Sequence, residues 1–174
     1  MIRVGTDLRL RPVRGDDETA ARAAHEALKA DDFAFLLGYD PAEPWARFVQ
    51  RRESQRRGQD LAPGWVPSTF LLAVIGPDIV GRISVRHELN DYLANVGGHI
   101  GYCVLPAFRR RGYASEILRQ GLIIARAVGV DDVLVTCDED NVASAGVIEH
   151  CGGIFESMVD PGDGGPPKRR YWIR

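Results

Sequence analysis

The sequence predicts a single mixed α/β domain, and three observations carry that prediction. Two apolar runs, Ser68–Ile75 and Ile79–Leu89, flank Gly76-Pro77-Asp78, which has the composition of a hairpin turn. Two strand-to-helix units follow, His99–Leu105 leading into a helix from Ala114 and Val133–Cys137 leading into a helix from Asn141, so hairpins and strand–helix–strand units alternate. A length of 174 residues without internal repeat or linker suits one domain, here 1–174, large enough to bury a proper core.

Leu8-Arg9-Leu10-Arg11-Pro12 alternates like an edge strand. Asp16-Asp17-Glu18 then loads the start of a helix with the acidic residues its dipole favours, ahead of Ala20, Ala24, Ala27 and Leu28. That helix fades by Asp31-Asp32, and Pro41 and Pro44 punctuate an aromatic loop holding Phe33, Phe35, Tyr39 and Trp45. Trp45–Arg57 has helical composition; its basic end, Arg51-Arg52 and Arg56-Arg57, reads as a solvated face rather than an anion site.

Along the strand from Ile79, the residues Ile79, Gly81, Ile83, Val85, His87 and Leu89 share one face, and Val80, Arg82, Ser84, Arg86 and Glu88 the other. His87 is therefore expected to be a hydrogen-bonded core residue. After Gly97-Gly98 comes the central strand, then a helix in which Leu118, Gly121, Ala125 and Val128 recur at helical spacing until Gly129. Val133–Cys137 is a strand and Asn141–Cys151 a helix. Ile154–Val159 and Lys168–Ile173 are the last two strands, joined by the glycine- and proline-rich loop 161–167.

Composition narrows the function. With 45% hydrophobic and 26% charged residues the chain is globular, and a formal net charge of −2 argues against a general nucleic-acid coat, which needs a basic excess. Basic residues cluster instead at 109–111 and 168–170, which suits a small anionic ligand. The three cysteines, Cys103, Cys137 and Cys151, sit in apolar segments with no metal spacing, so they are expected as buried thiols in a reducing, cytoplasmic setting with no metal site. The stretch Met1–Asp7 lacks a signal-peptide run and no apolar run reaches membrane-spanning length, so no membrane partner is expected. A homodimer is compatible with the sequence.

The stretch Gly101–Ser115 is the most informative. A buried strand stops at Pro106 and turns through Phe108-Arg109-Arg110-Arg111-Gly112 into a helix. Unpaired N–H groups and the dipole make such a helix start an anion site, so the amides from Arg110 to Ser115 are expected to take a pyrophosphate, with the arginines adding positive potential. Gly112 and Ala114 keep the approach open. Downstream, Asp140-Asn141-Val142-Ala143-Ser144 opens a helix that ends in Gly152-Gly153. Asn141 is the expected N-cap, and Ser144 lies one turn on along the same face.

The order Arg109-x-x-Gly112-x-Ala114, between a strand and a long helix, resembles the acyl-CoA signature of the GCN5-related N-acetyltransferase (GNAT) family, and the Asn141 segment resembles that family's second cofactor segment. The resemblance covers about Thr69–Phe155. It implies a mostly antiparallel central sheet with helices on both faces, and acetyl-CoA as co-substrate in a V-shaped opening between two strands, one ending near Val104 and one near Cys137. Arg109, Arg110, Arg111, Gly112, Tyr113, Ala114, Ser115, Asn141 and Ser144 are then cofactor-binding. A main-chain N–H at Val104 or Leu105 would hold the thioester oxygen.

The implied reaction is acetyl transfer to the amine of a small-molecule acceptor. A protonated amine must first lose its proton. Many relatives place a glutamate where this chain has His99, so His99 is the candidate base and Glu88 the next. The family's frequent general-acid tyrosine, seven residues after the asparagine, is Ile148 here, which leaves Tyr113, Tyr171 or unassisted departure of the thiolate. Arg86, Asn90, Tyr92 and the aromatic loop are the expected acceptor-side residues, with Arg86 suited to a carboxylate or phosphate. The competing reading is an acyl-CoA-binding sensor or interaction module without transferase activity.

Overall fold

The computed structural model describes residues 7–174; Met1–Thr6, the bulk of the stretch read as lacking a signal-peptide run, lies outside the described residues. Seven strands form one sheet in the order β1-β2-β3-β4-β5-β7-β6. They are β1 (Arg9–Arg11), β2 (Ser68–Ile75), β3 (Asp78–Arg86), β4 (Ile100–Val104), β5 (Val133–Asp138), β6 (Ile154–Val159) and β7 (Lys168–Ile173). Every neighbouring pair is antiparallel except β4 and β5.

The helices cover both faces. On one, α1 (Glu18–Lys29) and α2 (Trp45–Arg56) bury Ala21, Ala24, Leu28 and Phe48 against Phe70, Leu72 and Val74 of β2. On the other, α3 (Tyr113–Ala127) and α4 (Val142–His150) bury Ile117, Leu118, Ala145 and Ile148 against Ile83, Val85, Ile100 and Val135. Gly121 lets α3 approach closely: a Cβ there would lie 2.2 Å from Ile83 Cδ1.

Both faces of β3 are covered, so from Gly81 onward its alternation separates two cores rather than core from water; a bulge at Val80 reverses the expected faces before that, putting Val80 in the core with Ile83 and Val85, and Ile79 in the other. Arg82 and Ser84 are buried under α1 and the loop after it. β3 stops at Arg86, earlier than expected, because the chain leaves the ladder there. His87 donates its backbone N–H to Pro67 O, and its ring bonds Thr69 Oγ1 at 2.8 Å. A turn of π-helix, Leu93–Gly97, fills the next segment, where the sequence predicts no element.

The basic end of α2 departs from the expected solvated face. Arg56 and Arg57 do pair with Glu53 at the surface and Arg51 with the part-buried Glu43, but Arg52 turns inward, 8% exposed, with its guanidinium over the Phe48 and Phe70 rings. Its Nε and Nη2 find no hydrogen-bond partner among the described residues, and burial pushes its pKa down to about 10. The aromatic loop also divides: Phe35 and Trp45 are core residues, while Phe33 and Tyr39 are partly buried.

Candidate functional site

The middle of β4 is less covered than its ends. Ile100 and Val104 are buried, yet Gly101, Tyr102 and Cys103 between them are only part-buried. The cause lies in the parallel neighbour: β4 and β5 share one registered pair, Ile100 with Val135, and splay apart beyond it. On the other edge the ladder to β3 is complete, with Arg86 N–H donating to His99 O at 2.7 Å and Leu105 N–H to Val80 O at 2.8 Å. Alternation then turns the N–H of Val104 away from β3 and into the gap. Of the two main-chain donors left open by the sequence, Leu105 is occupied and Val104 faces the opening.

A cleft of about 630 Å³ passes through this gap. Phe33 and Cys103 line it on the α1 side of the sheet, and Tyr102, Ser115 and Ser144 on the α3/α4 side. Its rim is the loop from Arg109 to Ser115, shaped by left-handed backbone at Arg110 (φ 62°) and Gly112 (φ 79°). A Cβ on Gly112 would have no atom within 4 Å, so its open side is the cleft itself. The first helical N–H bond of α3 is Glu116 N–H to Gly112 O at 3.3 Å, which leaves the amides of Tyr113, Ala114 and Ser115 for a ligand.

The three arginines differ. Arg109 bridges the end of β4 to the end of α1, with Nε 3.2 Å from Val104 O and Nη2 2.6 Å from Asp31. Arg111 donates to Ala107 O at 3.2 Å and lies over the Phe108 ring. Arg109 and Arg110 both line the cleft, but Arg109 is held by Val104 O and Asp31, so Arg110 is the arginine placed to meet an anion directly.

Asn141 caps α4, its Oδ1 accepting the Ser144 N–H at 3.0 Å. Ser144 Oγ in turn bonds the Tyr102 hydroxyl at 3.0 Å across the gap between α4 and β4. Burial pushes the Tyr102 phenol up to about 12, against the opposing pull of the Ser144 bond. Ile148, one turn beyond Ser144, is fully buried among apolar side chains. The sequence reading missed Tyr102; its signal was parity, since period two sets Tyr102 on the face opposite Gly101 and Cys103, toward the cofactor helices. It also missed Asp138, which extends β5 one residue beyond its predicted end, lines the cleft and pairs with Lys168.

His99 sits elsewhere. It is buried at the start of β4, five residues or about 17 Å along the strand from Val104. Its Nδ1 accepts the Leu134 N–H at 2.9 Å, which puts the proton on Nε2, and burial with Arg86 nearby lowers its pKa. His99 thus staples β4 to β5, and its lone pair is engaged rather than free to act as a base. Glu88 is exposed beyond β3, at the same distant end of the sheet. Tyr171 is buried with its hydroxyl on Glu149 Oε1 at 3.1 Å, whereas Tyr113 lines the cleft.

The three expected acceptor residues separate as well. Asn90 ties two loops together, donating to Gly64 O at 2.9 Å and accepting from Leu93 N–H at 2.9 Å, so neither end of its amide is free. Tyr92 is 67% exposed. Arg86 holds the end of the π-turn through Nη1, 3.1 Å from Gly97 O and 3.2 Å from Gly98 O, and keeps its other nitrogens toward β4.

A central strand splayed from its parallel neighbour, a main-chain donor in the gap and a helix start at its rim define an acyltransferase scaffold. The family model for the acetyltransferase (GNAT) domain matches residues 7–154, and the chain belongs to that family. Solved structures of similar fold include RimJ from Mycobacterium smegmatis in complex with CoA-disulfide, at 20% identity and TM-score 0.73, covering 95% of this chain and 81% of that one. A Salmonella typhimurium acetyl transferase described as modifying the N-terminal serine of ribosomal protein L7/L12 matches at 20% identity and TM-score 0.69, covering 99% and 97%. The microcin C7 self-immunity acetyltransferase MccE, solved with acetyl-CoA and AMP, matches at 16% identity and TM-score 0.69, covering 99% and 94%. Comparison with curated proteins finds no match. No helix among the described residues is long and apolar enough to cross a membrane.

Proposed function

We propose that this chain is an acetyl-CoA-dependent N-acetyltransferase for a small-molecule amine, a single domain over 1–174 working in the cytoplasm. The observation that carries this reading is the uncovered middle of β4, where one cleft opens to both faces of the sheet and the Val104 N–H points into it. The residues present fit acetyl-CoA: the amides of Tyr113–Ser115 and Arg110 suit a pyrophosphate, and the space above Gly112 admits it. Bound there, acetyl-CoA supplies a thioester-activated acetyl group.

The chain's own groups then divide the work. Val104 N–H is placed to stabilise negative charge on the acyl oxygen. The Tyr102 hydroxyl holds a proton on the cofactor side of β4 and replaces the tyrosine absent at Ile148; Ser144 orients it. On the proton-accepting side, Asp138 is the cleft-lining carboxylate not tied to Arg109; its Oδ1 is paired with Lys168, and its other oxygen receives the amine proton directly or through water. Acetyl transfer exchanges the carbon–sulfur bond for a carbon–nitrogen bond, so one proton leaves the amine and one reaches the sulfur.

Thiol release measured with acetyl-CoA and a panel of amines tests the proposal. Release with at least one class of amine is expected. Acetyl-CoA binding with no release for any amine would instead identify a sensor.

A further inference from the structure

Two guanidinium groups stand on the α1 side of β4 with no carboxylate between them. Arg82 is 3% exposed and donates to Phe35 O (3.1 Å), Gly101 O (3.1 Å) and Ala34 O (2.9 Å). Arg86 binds two carbonyls through Nη1 alone. Neither takes part in any ion pair among the described residues, although the other arginines of the α1/α2 layer that face acids do pair. Uncompensated buried cations are costly, and carbonyl dipoles compensate them only in part.

The two groups converge on one place. A Cβ on Gly101 would lie 3.6 Å from both Nη1 and Nη2 of Arg86 and 3.7 Å from Nη1 of Arg82. No side chain occupies that space, because the residue is glycine, and Gly101 is one of the part-buried residues of β4. The three residues around that space do not themselves line the cleft, but their neighbours do: Cys103, two residues along on the same face, lines it, and so does Phe33, whose ring lies 4.7 Å from the Arg82 guanidinium.

We infer that the acceptor amine carries a carboxylate or phosphate, bound over Gly101 by the free nitrogens of Arg86 in the field of Arg82. The inference rests on the transferase reading and names its substrate class. An amine entering at the level of Cys103 sits about 7 Å along the strand from Gly101, so the anion belongs within about 7 Å of the nitrogen. Amino acids and aminoalkyl phosphates meet that condition. Polyamines bring a second cation to a basic floor, and a peptide N-terminus brings a neutral amide where the anion belongs.

The test compares matched acceptors on the wild-type enzyme: glycine, β-alanine and γ-aminobutyrate against their amides, O-phosphoethanolamine against ethanolamine, then spermidine and a peptide with a free N-terminus. Each anionic member should exceed its neutral partner in kcat/KM by about 10- to 100-fold, the worth of a charge-assisted hydrogen bond in a part-buried site. Comparison of the amino acid and phosphate arms identifies which anion is bound. Arg86→Gln should erase the preference within each pair while acetyl-CoA affinity stays within about twofold. A second readout does not depend on turnover: calorimetric titration of N-acetylglycine against its amide in the presence of CoA should show tighter binding of the acid. Equal kcat/KM within the pairs, or preference for spermidine or the peptide, overturns the inference while leaving the transferase intact. No thiol release with any amine overturns the transferase reading instead, and the titration then decides the anion site: tighter binding of the acid supports it, and equal or absent binding overturns it.

Discussion

The Tyr102 hydroxyl and the Ser144 hydroxyl lie 3.0 Å apart, joining the middle of β4 to the first turn of α4 across the opening of the sheet. The contact brings a phenol from a strand to the region that a helical side chain would otherwise serve, and Ile148 is free to pack into the core. Because burial holds the phenol near 12, it stays protonated through the neutral and mildly alkaline range.

Tyr102→Phe should therefore lower kcat by about 10- to 100-fold with little change in acetyl-CoA affinity, as removal of a positioned proton donor does. Loss should shrink when an acyl donor with a more acidic thiol is used. A variant with unchanged kcat would assign the Tyr102–Ser144 bond to packing alone.

Asp138→Asn keeps the shape of the side chain and removes its capacity to take a proton. The acidic limb of the kcat/KM profile should weaken and the rate fall by about 100-fold, with the circular dichroism spectrum retained. An unchanged profile would leave proton removal to water.

At the anion end, Gly112→Trp should abolish acetyl-CoA binding measured by calorimetry. The protein should still fold, since a Cβ at Gly112 meets nothing, although the left-handed backbone costs about 1–2 kcal/mol for a side-chain-bearing residue. Wild-type affinity should fall as salt rises from 50 to 500 mM, because the arginine rim acts partly through screened charge. Unaltered affinity in the folded variant would place the cofactor elsewhere.

Acid should destabilise the fold through its histidines. His25, His87 and His99 all have pKa values lowered chiefly by burial, so below about 6.5 the unfolded chain binds more protons than the folded one. Their neutral-state contribution is complete above that pH and is lost as pH falls from there through the folded values. The melting temperature should decline below pH 6.5, and His99→Gln should reduce the slope. A flat melting profile between pH 7 and 5 would contradict this.

Arg52→Met should leave stability unchanged or raise it by about 1 kcal/mol in urea unfolding. The substitution removes a buried cation with two unsatisfied nitrogens and keeps apolar contact with Phe48 and Phe70. Destabilisation by more than about 1 kcal/mol would show that the guanidinium's stacking outweighs its desolvation.

The local features of the site were legible in the sequence because each is a short-range signal. The stop at Pro106, the glycine needing φ 79° before α3 and the Asn141 cap of α4 are properties of a few neighbouring residues. The hairpin and the helical spacing from Leu118 to Ala125 likewise gave the elements and their order. The functions of single side chains were different. His99 occupies the motif position of a base, yet its lone pair is taken by Leu134, a residue 35 positions away that arrives only when β5 docks. Leu105 N–H is lost to Val80 and Val104 N–H gained for the gap by the register of β3 on β4. Arg52, Arg82 and Arg86 read alike as basic residues; one is stacked between rings, one pins a loop, and one faces the empty space over Gly101. Sequence fixes which groups are present and the local backbone that carries them, but hydrogen-bond partners, burial and the splay of β4 from β5 depend on contacts between distant segments, and those are set by tertiary structure alone.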